Sequence, residues 1–122
     1  MKTAVIILFH GSRAERAGDT VRRIIHEVRR KGKYRIVEEA FLQHAKPGLM
    51  DAIKHCVQQG VDNIAIVPFF LQMGTHVTAD IPLLVAEAKK HYAGLQISTT
   101  DAVGSHPLMI DIVLDLAGKH IY

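Results

Sequence analysis

The chain has one cysteine, only 6% aromatic residues and no apolar run long enough to cross a bilayer. Cys56 has no second cysteine with which to form a disulfide, which is typical of proteins from a reducing compartment. The apolar stretch at residues 4–9 is too short for a secretory signal peptide, and nothing approaches the roughly 20 apolar residues of a membrane span. We therefore expect a cytoplasmic protein with no membrane partner.

A strong charge of one sign is also lacking. The 15 basic and 12 acidic residues give a formal net charge of +3. Basic residues gather at 22–23 and 29–31, where the pattern indicates a solvent-exposed helix face. Because no aromatic residues are interleaved with them to stack on bases, we expect no nucleic-acid partner. The mild positive charge would favour anionic small molecules.

The chain does have a large apolar fraction in a regular order. Its 122 residues are 48% hydrophobic, which suffices for one domain, residues 1–122, with a core that needs no disulfide. We expect strands at residues 4–9, 35–42, 63–71 and 95–102. We expect helices at residues 14–31, 47–60 and 107–119, and a further helix that begins after an N-cap at Asp80 and has Pro82 in its first turn. This alternation predicts an α/β, flavodoxin-like three-layer sandwich: a four-stranded parallel sheet in the order 2-1-3-4 with helices on both faces.

The last helix is unusually apolar, since only Asp111 and Asp115 are clearly polar between residues 108 and 117. One interpretation is a well-buried terminal helix. The other is a subunit interface, because large exposed apolar patches usually mark partner surfaces. We favour the second and expect a homodimer.

Two histidines follow strands that should be neighbours at the point where the strand order reverses, which is where open α/β sheets bind ligands. His10 follows the first strand and His76 the third. Imidazole is the commonest metal ligand in proteins and a frequent base. Gly11 and Gly74 would let backbone approach a flat ligand closely, and the segment from Ser12 could hold a carboxylate at a helix start. Arg13 could pair with the same carboxylate.

The other histidines divide by position. His44 and His106 also follow strand ends on this edge, so each could contact a ligand or simply line the rim. The remaining four fall on helices and are expected to face solvent: His26, His55, His91 and His120.

Three segments carry a resemblance to a known family: HGSR at residues 10–13, AFLQHAKP at 40–47, and PFFLQMGTH at 68–76 followed by DIP at 80–82. In this order they resemble the small, single-domain form of the class II sirohydrochlorin chelatases (CbiX/SirB type). The resemblance implies a homodimeric enzyme that inserts a divalent ion into a sirohydrochlorin-type tetrapyrrole on the way to cobalamin or sirohaem. The ion is expected to be Co²⁺, with Ni²⁺ or Fe²⁺ as alternatives, and no organic cofactor is expected.

The resemblance also assigns roles to residues of this chain. The metal ligands fall on His10 and His76, and the proton acceptor falls on His10. We expect the substrate to be bound by Gly11, Ser12, Arg13, Lys46, Leu71, Gln72, Met73, Gly74, Thr75 and His76.

Gln43 and Lys46 stand where members of the family commonly carry glutamates. The amide at 43 removes a potential proton acceptor or metal ligand, and the ammonium at 46 adds a cation. A non-catalytic metal or tetrapyrrole carrier with the same fold is therefore a second interpretation. A flavin or phosphate binder that uses the loop at 10–13 is a third, although such a protein needs a longer Gly/Ser/Thr-rich loop and flanking aromatics that this chain lacks.

Overall fold

The computed structural model describes residues 2–11 and 15–121, and it confirms the predicted α/β sandwich. All four strands are parallel and lie in the order β2-β1-β3-β4. The elements in chain order are β1 (Thr3–Phe9), α1 (Glu15–Arg30), β2 (Ile36–Phe41), α2 (Leu49–Gln58), β3 (Asn63–Pro68), α3 (Thr75–His91), β4 (Gln96–Thr99), a short 3₁₀ turn (Val103–Ser105) and α4 (Leu108–Ile121).

β1 occupies the centre of the sheet because both of its faces are apolar. From Ala4 to Phe9 every residue is buried, which is typical of a strand covered on both sides. Ile6 lies opposite Glu38 of β2 and opposite Ile66 of β3. The strand order therefore reverses beside β1, and β2 becomes an edge.

Two separate cores cover the two faces of the sheet, as predicted. Alternate β1 residues such as Ile6 pack with α2 and α3 against what we call the α2/α3 face. The intervening residues, such as Ile7, pack with Ile25 and its neighbours on α1 against the α1 face.

The α1 face is only half covered. On β3, Ile64 and Ile66 point to the α2/α3 face and are fully buried, whereas Ala65 and Val67 point to the α1 face and are only half-buried. On β4, Ser98 lies opposite Ala65 and is exposed. The part of the α1 face formed by β3 and β4, which we call the open half, therefore has no helix packed over it among the described residues.

α4 does not supply that cover. None of its residues from Leu108 to Lys119 is buried, and six of its large apolar side chains are between 48% and 65% exposed, as with Leu114 at 65%. The interpretation of the terminal helix as a well-buried one is therefore wrong for a single chain. No helix in the described part of the chain is long and apolar enough to cross a membrane.

Several boundaries differ from the sequence prediction, and the start of α3 differs most. The helix begins at Thr75, so the expectation that Asp80 is its N-cap is wrong. Gly74 takes the N-cap position, and its carbonyl oxygen accepts hydrogen bonds from both the backbone N–H and the hydroxyl of Thr78 at 3.0 Å. Pro82 consequently lies inside the helix and not in its first turn. At this position it removes one backbone hydrogen-bond donor.

The other differences are smaller. β3 ends at Pro68, β4 spans only Gln96–Thr99, and α2 begins at Leu49 rather than at Pro47.

The outer edge of β2 is closed by a side chain. The guanidinium of Arg29 donates to the carbonyl oxygen of Val37 from Nε at 3.0 Å and from Nη2 at 2.7 Å. Glu38 lies beside it, 3.8 Å from Arg29 and 3.7 Å from the imidazole of His55 on α2. A cation on an edge strand hinders pairing with another chain.

Candidate functional site

His10 and His76 line the same cleft at the carboxyl ends of the strands. His10 is the first residue after β1, and His76 lies in the first turn of α3, which follows β3. Both are exposed, so a ligand can reach them. The cleft has a volume of about 400 Å³ and lies where the strand order reverses. Its lining residues are His10, Leu42, Gln43, His76, Val77, Asp80, Leu83 and Leu84.

His10 is held by the segment that follows β2. Its carbonyl oxygen accepts a hydrogen bond from the backbone N–H of Gln43 at 3.1 Å, and the preceding Phe9 carbonyl accepts one from Leu42 at 3.0 Å. Phe70 presents its ring edge-on to the imidazole, with 6.1 Å between the ring centroids. The imidazole of His10 is therefore positioned by the segments that follow β2 and β3, and not by its own loop alone.

The side chain of Gln43 contacts the imidazole directly. Its amide nitrogen lies 3.3 Å from Nδ1 and 3.5 Å from Nε2 of His10, and the Gly11 carbonyl oxygen lies 3.3 Å from Nδ1. An amide N–H can donate only to an unprotonated ring nitrogen, which is the form that accepts a proton or a metal ion. When a proton on Nδ1 is donated to the Gly11 carbonyl, Nε2 carries the lone pair and lies 3.5 Å from the Gln43 amide nitrogen.

Gly11 is required by this close approach. Its φ of +95° is one that L side chains rarely adopt, and an added Cβ would overlap the backbone carbonyl oxygen of Gln43. Only glycine satisfies both constraints. The contact between His10 and Gln43 therefore depends on the absence of a side chain at position 11.

Asp80 is the one carboxylate among the described residues that line the cleft. Asp80 lies four residues after His76 on α3, so the two side chains share one face of the helix. No lysine or arginine is among the lining residues that the structure describes, so the charge of those residues favours a cation. Within residues 2–11 and 15–121, no group of three or more histidine, cysteine, aspartate or glutamate side chains forms a closed metal site. A single chain thus offers an open set of donors, which suits an ion that must be released.

The other predicted substrate residues lie around the cleft rather than in its wall. Met73 is half-buried and packs against the α2/α3-face core, Leu71 is 71% exposed, and Lys46 is exposed and precedes a cis proline peptide. None of them lines the cleft. Gln72, Gly74 and Thr75 complete the exposed rim, which ends at the first residue of α3, and Ser12 and Arg13 lie outside the described residues.

The rim is backed by the 3₁₀ turn after β4. The backbone N–H of Gly104 donates to the Phe70 carbonyl at 2.9 Å, and a Cβ at 104 would overlap the backbone of Leu71. Nearby, Nδ1 of His106 accepts a hydrogen bond from the Leu108 N–H at 3.1 Å, so this histidine caps α4. His44 is exposed, with a positive φ of 63°, and does not line the cleft.

The helical histidines behave as expected where they can be described. His26, His55 and His91 are exposed, and the side chain of His120 lies outside the described residues.

Asp80 and the apolar wall of the cleft were missed by the sequence pattern. Asp80 has the side chain of a helix cap, which favours that prediction, but its spacing of four from His76 is a usable signal for the site. No sequence pattern marks the apolar wall residues Leu42, Leu83 and Leu84 as part of a cleft. Amphipathic spacing is the same for residues that line a cleft and for residues in a core.

Cys56, the lone cysteine, lies outside the site. It is fully buried under the α2/α3 face. Burial, with a smaller contribution from the negative charge of Glu38, raises the pKa of its thiol to about 11. A thiol of this kind stays protonated at neutral pH and is a poor nucleophile or ligand.

Comparison with known proteins gives consistent results. The chain is 38% identical over 111 residues to the chloroplastic sirohydrochlorin ferrochelatase of Arabidopsis thaliana, covering 91% of this chain and 49% of that protein. It is 30% identical over 123 residues to the sirohydrochlorin cobaltochelatase of Methanosarcina barkeri, covering 98% of this chain and 95% of that protein. The crystal structure of the sirohydrochlorin chelatase SirB from Bacillus subtilis subspecies spizizenii in complex with cobalt superposes with a TM-score of 0.88 at 27% identity, covering 98% of this chain and 51% of SirB.

The chain therefore spans about half the length of the Arabidopsis and Bacillus proteins and nearly the full length of the Methanosarcina protein. The CbiX family model matches residues 4–119, almost the whole chain. The fold, the cleft and these matches agree, and the chain belongs to the CbiX family.

Proposed function

We propose that this protein is a sirohydrochlorin chelatase that inserts a divalent metal ion, with Co²⁺ as the first candidate, into a tetrapyrrole of the cobalamin or sirohaem type. The observation that carries the proposal is the meeting of two imidazoles, from distant parts of the chain, in one exposed cleft at the switch point of the sheet. Imidazole binds cobalt, nickel and iron alike. The names of the relatives include both cobalt and iron enzymes, in keeping with this breadth.

The cleft residues divide the chemistry between its two walls. His76 and Asp80 hold the incoming ion, and His10 faces them across the cleft as the base. For each ion inserted, two pyrrole N–H protons leave the macrocycle. Each passes to the free ring nitrogen of His10 and then to solvent. An ion held over the macrocycle is already close to the pyrrole nitrogens that will bind it. A base that loses each proton to solvent regains its lone pair and can accept the second proton.

The substrate contacts follow from the surroundings of the cleft. Leu42, Leu83 and Leu84 offer an apolar wall to the flat macrocycle. The exposed Lys46 would supply a cation for its carboxylates, and the resemblance assigns Gly11, Ser12 and Arg13 to the same substrate. The rim from Leu71 to His76 closes over it.

The proposed assembly is a homodimer of a single chelatase domain, residues 1–122. A cleft of about 400 Å³ in one chain lies near the lower end of the 300–1,000 Å³ range of small-molecule sites, so a second chain would enlarge it for a macrocycle. The free, buried Cys56 suits a reducing compartment such as the cytoplasm.

Metalation followed by ultraviolet-visible spectroscopy tests the proposal. Purified protein with sirohydrochlorin and Co²⁺, Ni²⁺ or Fe²⁺ in turn should give many turnovers with at least one ion. His10→Ala should lose at least 90% of that rate. His91→Ala is the matched control, because His91 is equally exposed but lies at the far end of α3 and pairs with Glu87, and it should keep the full rate.

A metal or tetrapyrrole carrier is the second candidate, favoured by one contact. Gln43 places a neutral amide beside His10 where the family commonly has a carboxylate. A carrier would bind ion or macrocycle stoichiometrically without turnover. Full metalation by His10→Ala would rule out His10 as the base, and binding without turnover would establish the carrier. A flavin role is disfavoured because the lining residues within the described part of the chain include no phenylalanine, tyrosine or tryptophan.

A further inference from the structure

A closed loop joins β2 to α2 beside the cleft. It consists of residues 42–47, and its first two residues belong to the lining of the cleft. The ends of the loop meet, because the backbone N–H of Phe41 donates to the Pro47 carbonyl at 2.9 Å. Phe41 also pairs with Gly48 in an isolated parallel bridge. Compact loops whose ends lie close together frequently carry function.

His44, near the middle of this loop, has an unusual backbone conformation. Its φ is 63°, and every other residue with a positive φ in the described part of the chain is a glycine. The left-handed region is uncommon for a residue with a side chain, although histidine adopts it more often than most residues do. Glycine is the residue that this backbone favours.

No contact within the described residues accounts for a histidine at this position. The side chain of His44 is exposed, and its imidazole makes no hydrogen bond, ion pair or ring contact with another described residue. Backbone conformations of this kind are concentrated at binding and catalytic sites, where they are retained for function. The imidazole is therefore better explained by something it binds than by the packing of the loop.

The loop is anchored on the side that faces the cleft. The backbone N–H of Leu42 donates to the Phe9 carbonyl at 3.0 Å. The next N–H, that of Gln43, donates to the His10 carbonyl at 3.1 Å. His44 follows directly, so it lies just outside the cleft wall on a segment that is already fixed. A ligand that contacts it does not have to order the loop first.

The charges inside and outside the cleft wall differ. Among the described residues that line the cleft there is one carboxylate, Asp80, and no lysine or arginine. The carboxylates of a sirohydrochlorin-type macrocycle lie on its periphery, so they extend beyond a cleft that holds the pyrrole nitrogens near His10. The 42–47 loop offers two exposed donors at that distance from the centre, His44 and Lys46. An imidazole carries at least one N–H donor whether or not it is protonated.

We propose that His44 is a substrate-binding residue that donates a hydrogen bond to a peripheral carboxylate of the macrocycle, beside Lys46. This inference rests on the proposed function and deepens it, since neither the family resemblance nor the lining of the cleft assigns a role to His44. The contact explains why histidine occupies a position whose φ favours glycine.

Replacement by glycine separates binding from stability. His44→Gly removes the imidazole but suits the backbone, so the midpoint of urea unfolding should not fall. The dissociation constant for metal-free sirohydrochlorin, measured by absorbance titration, should rise about tenfold, as expected for the loss of a hydrogen bond to a charged group. A residue retained for the fold alone would give the opposite result, a lower midpoint with unchanged binding.

The methyl ester of sirohydrochlorin identifies the group that His44 contacts. Because the ester lacks the carboxylates, His44→Gly and the native chain should bind it with dissociation constants within about twofold of each other. His91→Gly is the matched control. It removes another exposed imidazole, at the far end of α3, and should bind the free acid as the native chain does.

The outcomes distinguish this inference from the proposed function. An unchanged dissociation constant for His44→Gly, an equal loss with the acid and the ester, or a lower urea midpoint overturns the role of His44. A native chain that metalates sirohydrochlorin while His44→Gly binds it equally well keeps the proposed function and rejects this inference. A native chain that binds neither form of the macrocycle rejects both.

Discussion

Gly11→Ala should damage both the fold and the site, through a specific overlap. The new Cβ would meet the backbone carbonyl of Gln43, so the segment after β2 must move away from β1. That movement breaks the hydrogen bonds from Gln43 to His10 and from Leu42 to Phe9. Each is worth about 0.5–1.5 kcal/mol, and the positive φ adds about 1–2 kcal/mol for a residue with a side chain.

The combined expectation is a loss of about 2–5 kcal/mol, against the 5–15 kcal/mol that typically separates folded from unfolded domains. Urea unfolding followed by circular dichroism measures it. Gly94→Ala is the matched control, because Gly94 has a similar φ of +83° but no atom within 4 Å of the added Cβ. It should lose only about 1–2 kcal/mol and keep its metalation rate.

The same displacement should separate His10 from Gln43. At temperatures where Gly11→Ala is still folded, we expect its metalation rate to fall at least tenfold. Equal free energies of unfolding for Gly11→Ala and Gly94→Ala would refute the reasoning, since the positive φ that both positions share would then account for the whole loss and the overlap with Gln43 would add nothing.

Three other perturbations give further tests. Gln43→Glu places a carboxylate beside His10 and should increase the affinity for Co²⁺ several-fold in calorimetric titration. Gln58→Glu, at the exposed end of α2, is the control and should leave the affinity unchanged. If Gln43→Glu also left the affinity unchanged, the result would count against a cation in the cleft. Asp80→Asn should weaken Co²⁺ binding by about tenfold, with no loss of helix content by circular dichroism; unaltered binding would remove this carboxylate from the metal site. Burial raises the pKa of Cys56 from 9.0 to about 11, so the unfolded chain releases this proton first, and the free energy of unfolding should fall as the pH rises from 9 towards 11. Cys56→Ala should lack that part of the decline, and an identical alkaline profile in both proteins would contradict the assignment.

The topology could be predicted from the sequence because its signals are local. The buried run of β1 and the repeated strand–helix alternation define a parallel sheet. The carboxyl end of each strand can be identified without knowing the rest of the fold. The placement of His10 and His76 at one cleft follows from those two facts, since neighbouring parallel strands end at one edge.

The predictions that failed depend on contacts between distant residues or on backbone geometry. Asp80 has the side chain of a good N-cap, but Gly74 begins α3 because its extended backbone leads the chain from β3 into the helix. The contact between Gln43 and His10 requires two strand ends to approach over a glycine, which no spacing rule reports. For α4 the apolar pattern left two interpretations open, and exposure in the structure excludes only the buried helix within a single chain.

The closed outer edge of β2 limits how copies of this protein can associate. Unpaired strand edges are where sheets of neighbouring molecules join and grow without end. Here the guanidinium of Arg29 occupies the Val37 carbonyl on one side, and β4 offers only four residues on the other. The covered carbonyl and the shortness of β4 therefore disfavour growth by edge-to-edge pairing of strands, which is the route by which sheets of separate molecules extend into fibrils.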